Sequence, residues 1–159
     1  MPLKIREAIP KDSQTIFDFI MELAIYEKLP NAVKTTVKEI KDSIFAPNST
    51  VKALICEEDG TAIGFAVYFY NYSTWLGKKG IYLEDLYVNE SKRGKGAGKA
   101  MIKYLAKKAI SEKCGRFEWA CLDWNTPSRE FYESLGAVAL NEWIGYRLEG
   151  DALEKFANN

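Results

Sequence analysis

The chain reads as one α/β domain on a mixed sheet, and three features of its 159 residues carry that reading. Segments with period-two alternation and segments with helical spacing succeed one another in the order βααβββαβαββ. No repeat, low-complexity run or Gly/Ser-rich or Pro-rich linker divides them. A chain this long buries roughly two-thirds of its unfolded surface, enough for one core without disulfide or metal staples.

Leu3 and Ile5 alternate with Lys4 and Arg6, as in a half-buried strand, and Asp12 or Ser13 offers the N-cap of a first helix. Ile16, Ile20 and Leu23 keep helical spacing, and Pro30 stops that helix near Leu29. A second helix spans Thr36 to Phe45 on a stripe of Val37, Ile40 and Ile44, and Pro47-Asn48 breaks it. Val51 to Glu57 and Thr61 to Tyr70 are strands joined by an Asp59-Gly60 turn. The second of them is apolar on both faces, as a central strand requires. Gly77 to Gly80 is a loop before the strand Ile81 to Val88. The run SKRGKGAGK then opens a helix to about Glu112, closed by Cys114-Gly115. Arg116 to Leu122 is a strand, Pro127 opens a short helix and Gly136 caps its end. Val138 to Leu140 and Trp143 to Leu148 make a final pair of strands.

Lys and Arg number 22 and Asp and Glu 22, so the net charge is zero, which argues against a nucleic-acid protein held by phosphate contacts. Histidine is absent. That removes the usual base of Ser-His-Asp and Cys-His catalysis and the commonest neutral metal ligand. Chemistry falls to Asp, Glu, Tyr, Cys, Lys or backbone groups. Cys56, Cys114 and Cys121 have no C-x-x-C spacing, so neither a zinc site nor a disulfide framework is indicated. They read as reduced thiols, and Cys121, with no group to lower its pKa, as a packing residue. No apolar run approaches the roughly 20 residues of a membrane span, and the opening MPLKIREAIPKD lacks a signal-peptide core. A cytoplasmic protein with no metal, membrane or nucleic-acid partner is expected.

Arg93-Gly94-Lys95-Gly96-Ala97-Gly98-Lys99 lies between a predicted strand and a predicted helix, where unpaired N–H groups and the positive helix end make an anion cradle. Glycines allow the positive φ of such a nest, and Arg93, Lys95 and Lys99 add charge. A Walker A loop is excluded, because Arg93 and Ala100 stand where it needs Gly and Ser or Thr. The dinucleotide fingerprint fails at Lys99, where its third glycine belongs. A flexible helix start on a solvated basic surface is the plain alternative.

What remains, Arg93-x-x-Gly96-x-Gly98 directly after Tyr82-Leu83-Glu84-Asp85-Leu86-Tyr87-Val88, resembles the coenzyme-A-binding segment of the GNAT acetyltransferase superfamily. MELAIYEKL, YNYSTWLG, IYLEDLYV, RGKGAG and LDWNTPSREFYESLGA, in this order, extend the resemblance to its thialysine and polyamine N-acetyltransferase branch. The resemblance implies a mostly antiparallel sheet with helices on both faces, splayed at the coenzyme A site. It also implies acetyl-CoA as acyl donor, a small-molecule amine as acceptor, and a homodimer. Leu86, Tyr87 and Val88 would then meet acetyl and pantetheine, and Arg93, Gly94, Lys95, Gly96, Ala97, Gly98 and Lys99 the pyrophosphate. Asn125, Ser128 and Tyr132 would also touch coenzyme A.

An alkylamine is almost wholly protonated at neutral pH and attacks a thioester only when neutral, so a base or water relay must deprotonate it. Without histidine the candidate is a carboxylate, and strict alternation sends Glu84 and Asp85 to opposite faces of their strand. The resemblance makes Glu84 the base, directly or through water, and Tyr132 the acid that protonates the departing thiolate. The plain alternatives are a salt-bridged edge carboxylate and a packing aromatic. Tyr26, Glu27, Glu84, Asp85, Glu118, Trp119 and Ala120 match amine contacts of the family. Asn125 reads equally as a turn residue before Pro127, and Glu27 as a solvated helix-end charge. An N–H of the Leu86 to Val88 stretch, freed by a bulge or splay, would receive the thioester oxygen. Ile144 stands before Gly145 where relatives carry an acid, which weakens a case for long polyamines. Transfer to a protein amine and an acyl-CoA-binding module without turnover are the rival readings.

Overall fold

The computed structural model describes residues 2–159, in two compact units, Met1–Ala120 and Cys121–Asn159. Among the described residues no helix is long and apolar enough to cross a membrane.

The first unit is a five-stranded sheet in the order β1 (Leu3–Glu7), β2 (Val51–Glu58), β3 (Thr61–Ser73), β4 (Lys78–Val88), β5 (Arg116–Trp119). Neighbours are antiparallel except β4 and β5, which are parallel. Alternation along β3 divides its apolar side chains between two faces. Phe65 and Val67 join Ile16 and Phe19 of α1 (Ser13–Tyr26) and Ile44 of α2 (Val37–Ile44). Gly64, on the other face, lies against Met101 of α3 (Ala97–Ser111). Helices therefore cover both faces, as expected. Phe65 and Ile16 are fully buried, each worth roughly 2–3 kcal/mol in apolar surface removed from water.

Local chemistry explains most boundaries. Asp59 and Gly60 take φ of 52° and 79°, the left-handed pair of a type I′ hairpin turn whose twist matches the strands. Asp12 stands at the N-cap of α1, as expected, but its side chain caps no amide of that helix; it accepts from two guanidinium nitrogens of Arg6, at 2.8 and 2.9 Å, and from the N–H of Ile9. That pairing holds its carboxyl below the usual range and ties β1 to the start of α1.

The first helix ends at Tyr26, three residues before the expected stop, because a Schellman turn closes it ahead of Pro30. Lys28 takes φ 64°, and the N–H groups of Leu29 and Lys28 return to the carbonyls of Ala24 and Ile25. The same turn with Lys113 at φ 59°, and not Gly115, ends α3. Gly115 is small for another reason: a Cβ there would come within 2.9 Å of Leu76. Gly80, expected in a loop, lies inside β4, where Asn71 and Arg116 leave no room for a Cβ.

The second unit holds α4 (Thr126–Ser134) and α5 (Gly150–Ala157). Gly136 caps α4 at φ 95°, as read from the sequence. The final pair of strands does not form. Alternation without a partner strand satisfies no backbone groups, and Val138, Ile144 and Tyr146 stay 81, 75 and 93% exposed. The expected strand Arg116 to Leu122 likewise stops at Trp119. The unforeseen α5 follows from good helix formers at Ala152, Leu153, Glu154 and Lys155, with Asp151 in the first turn and Lys155 in the last.

Candidate active site

β4 and β5 are paired only from Gly80–Arg116 to Leu83–Trp119, while β3 follows β4 as far as Val88. From Glu84 to Val88, β4 has no strand on its other side among the described residues. Asn89 donates its N–H to Ile63 of β3, so alternate residues turn their polar groups the other way. The N–H and C=O of Leu86 and Val88 face the open edge, and those of Tyr87 face β3. The Tyr87 side chain is in the core, its ring tilted against Phe19 at 6.0 Å, with its hydroxyl donating to Glu22 at 2.9 Å.

A β-bulge starts this edge. Leu83 stands opposite Tyr68 and Asp85 opposite Val67, leaving Glu84 unmatched. Leu83 therefore lies on the α3 face and Asp85 on the α1 face, where uniform alternation would have put both on one face. Burial, then the neighbouring carboxylates Glu84 and Glu27, push Asp85 up to about 6. Burial also raises the carboxyl of Glu27, which caps the end of α1. Glu84 is exposed. Three carboxylates thus share one electrostatic neighbourhood, which suits a cation.

The glycine run adopts the expected nest. Gly94 and Gly96 take φ of 81° and 86°, with open space where a Cβ would be, so backbone conformation and not crowding asks for glycine. Gly96 is the N-cap of α3 and, having no side chain, gives no cap bond to the first-turn amides of Ala97, Gly98 and Lys99. Lys95 and Lys99 flank them. An extended ligand with an anionic centre fits this edge and cradle: amide groups against Leu86 and Val88, phosphates against the helix start. Arg93 bridges the two parts. Its Nε donates to the Val88 carbonyl at 2.9 Å, and its guanidinium lies 4.8 Å from the Tyr26 ring and 5.2 Å from the Tyr87 ring.

Glu118 and Trp119, at the end of β5, are held within the sheet. Glu118 accepts from Asn71 at 3.3 Å and lies 3.0 Å from Nε of Arg116, close but not aligned as a hydrogen bond. Trp119 packs on Phe117, ring centroids 4.9 Å apart, and Ala120 follows. In the second unit, Asn125 is buried and its Oδ1 accepts the Ser128 N–H, so its plain reading as a turn and cap residue is realised. Tyr132 lies on α4 beside Phe131, rings 5.5 Å apart. Glu22 escaped the sequence reading. Its carboxylate accepts from Tyr87 and from Asn89, fixing the end of β4, and only its place on the α1 stripe beside Tyr26 hinted at that. Among the described residues no group of three or more His, Cys, Asp or Glu side chains could hold a metal ion.

Residues 17–137 match the acetyltransferase (GNAT) family. The chain is 37% identical over 164 residues to a pig thialysine N-epsilon-acetyltransferase, covering 96% of each. It is 43% identical over 96 residues to an Arabidopsis thaliana L-ornithine N5-acetyltransferase, 60% of this chain and 42% of that one. Among solved structures, an integron cassette protein of Vibrio cholerae superposes with a TM-score of 0.84 at 29% identity, over 100% of this chain and 99% of that one. An open strand edge running into a left-handed glycine turn, together with these matches, shows that the chain belongs to the GNAT family of acetyltransferases and is an acyltransferase.

Proposed function

We propose that the protein moves the acetyl group of acetyl-CoA to the primary amine of a small aliphatic amine, thialysine, a lysine-like amino acid or a polyamine, by direct attack in a ternary complex. One observation carries this: β4 parts from β5 after Leu83, opening the Leu86 and Val88 backbone beside a carboxylate group and directly ahead of the glycine nest. The names of the relatives supply the substrate class.

In this reading Leu86 and Val88 pair with pantetheine, and Arg93 to Lys99 hold the pyrophosphate, with Asn125 and Ser128 on the same cofactor. Tyr26, Glu27, Asp85 and the end of β5 receive the amine. An alkylammonium with a pKa around 10 gives its proton to Glu84, directly or through water. The nitrogen lone pair attacks the thioester carbon, the C–N bond forms, and a backbone N–H of the open edge meets the charge on the carbonyl oxygen. The C–S bond breaks, the Tyr132 hydroxyl gives the thiolate its proton, and the tyrosinate takes, directly or through water, the second proton that the nitrogen sheds as the amide forms.

Both compact units act as one domain, consistent with a family match that runs across their boundary. The active form is a cytoplasmic homodimer. The free thiols of Cys56 and Cys114 suit that compartment, and Trp143, Ile144 and Tyr146, 72 to 93% exposed, are an apolar surface a second copy would cover.

The test is release of free coenzyme A thiol from acetyl-CoA with thialysine, lysine, ornithine, spermidine, spermine, putrescine and a lysine peptide offered separately. Turnover with a small amine is expected. Turnover with the peptide alone transfers the reading to a protein substrate, and coenzyme A binding with no turnover makes the chain a binding module.

A further inference from the structure

We propose that Arg93 is a positioning residue that couples the two substrates: the guanidinium that grips the donor edge at Val88 also braces Tyr26, at the end of the helix that Glu27 caps. The inference rests on the acetyl-CoA reading above.

The Val88 carbonyl faces the open edge, where Arg93 Nε holds it at 2.9 Å. This engages the last acceptor of that edge, while Leu86 and the Val88 N–H are open to a strand-like ligand arm. The same guanidinium lies within cation–π distance of Tyr26 and Tyr87. Tyr87 is itself immobilised, 7% exposed and bonded to Glu22. Of the two rings, Tyr26 is the one at a helix terminus, beside a Schellman turn that puts Lys28 at φ 64°.

A guanidinium is suited to this double task because its donors lie in its plane while its face is free to stack. A lysine ammonium keeps the charge but presents no such plane. A donor bound along the open edge adds its hydrogen bonds to those that already hold the Val88 peptide, and through Arg93 steadies the brace on Tyr26, so the amine meets a helix end already in place. Coupling of this kind is reciprocal: the amine must tighten the donor by the factor by which the donor tightens the amine. The cation–π range corresponds to about threefold to thirtyfold.

The experiment measures Kd for desulfo-coenzyme A, which cannot react, with and without saturating thialysine, and for thialysine with and without desulfo-coenzyme A. Wild type should show the same tightening, within about threefold to thirtyfold, in both directions. Arg93→Lys and Tyr26→Leu should each reduce the factor to one, the double variant should lose nothing more, and Tyr26→Phe, which keeps the ring, should retain it. Circular dichroism confirms that each variant is folded, and Tyr26→Phe serves as the conservative rescue. A factor of one in wild type, or an undiminished factor in Arg93→Lys, overturns the coupling while leaving the acetyl-CoA reading intact. Failure of wild type to bind desulfo-coenzyme A overturns both.

Discussion

Leu83 and Asp85, two residues apart on one strand, face opposite sides of the sheet, because the bulge puts Glu84 between them while their partners Tyr68 and Val67 are adjacent on β3. This brings an ionisable side chain onto the α1 face beside Glu27. The bulge stands where β5 departs, so one irregularity turns a structural strand into one with an open edge and an acidic start.

Asp85 makes the fold pH-sensitive in a defined direction. Its carboxyl is raised from 3.8 to about 6, so between these values the folded state holds more proton than the unfolded state. Its contribution is fully present below about 4 and is lost as pH rises through about 6, by up to about 3 kcal/mol. Urea unfolding from pH 4 to 8 should show this decline in wild type and a flatter curve in Asp85→Asn. Equal slopes would mean that Asp85 titrates normally.

Glu84→Gln tests the base. If Glu84 takes the ammonium proton, its loss leaves only bulk-deprotonated amine, and the rate should climb about tenfold per pH unit towards the amine pKa of around 10. At pH 7 the loss should be 10²–10⁴-fold, on the order expected for a general base. A wild-type pH profile in Glu84→Gln would remove Glu84 from that role.

For Tyr132, the prediction is a change in kcat without a change in donor binding. Tyr132→Phe keeps the ring beside Phe131 and should lower kcat by about 10²-fold or more, with Kd for coenzyme A within about twofold. Wild-type turnover would leave Tyr132 a packing residue.

The C-terminal segment bears on assembly. Trp143→Ser with Tyr146→Ser removes two large side chains, 72 and 93% exposed, that a monomer gains nothing by keeping apolar. Light scattering after gel filtration should find wild type at twice the chain mass and the variant at one. A monomeric wild type would end the homodimer reading.

Where the sequence speaks through backbone stereochemistry it was legible. Asp59-Gly60, Gly94, Gly96 and Gly136 occupy the left-handed conformations their residue types favour. The apolar stripes of α1 and α2 face the core as their spacing predicts. Lys28 and Lys113 were not legible as helix ends. A lysine carries no left-handed preference, and the returning bonds from Leu29 and Cys114, formed only in the folded chain, accompany it there.

The sequence by itself determined the first four helices, though not all of their ends, the hairpin, the glycine nest and the absence of histidine chemistry, because each depends on local conformation or on composition. The tertiary structure alone decided that β4 bulges at Glu84, that Asp85 joins Glu27, that Glu118 is tied to Asn71 and Arg116, and that 138–148 stays out of the sheet. A strand's register and its partner are set by residues far away in the chain, and a carboxylate's proton affinity by what surrounds it. Neither is written in the alternation of a single segment.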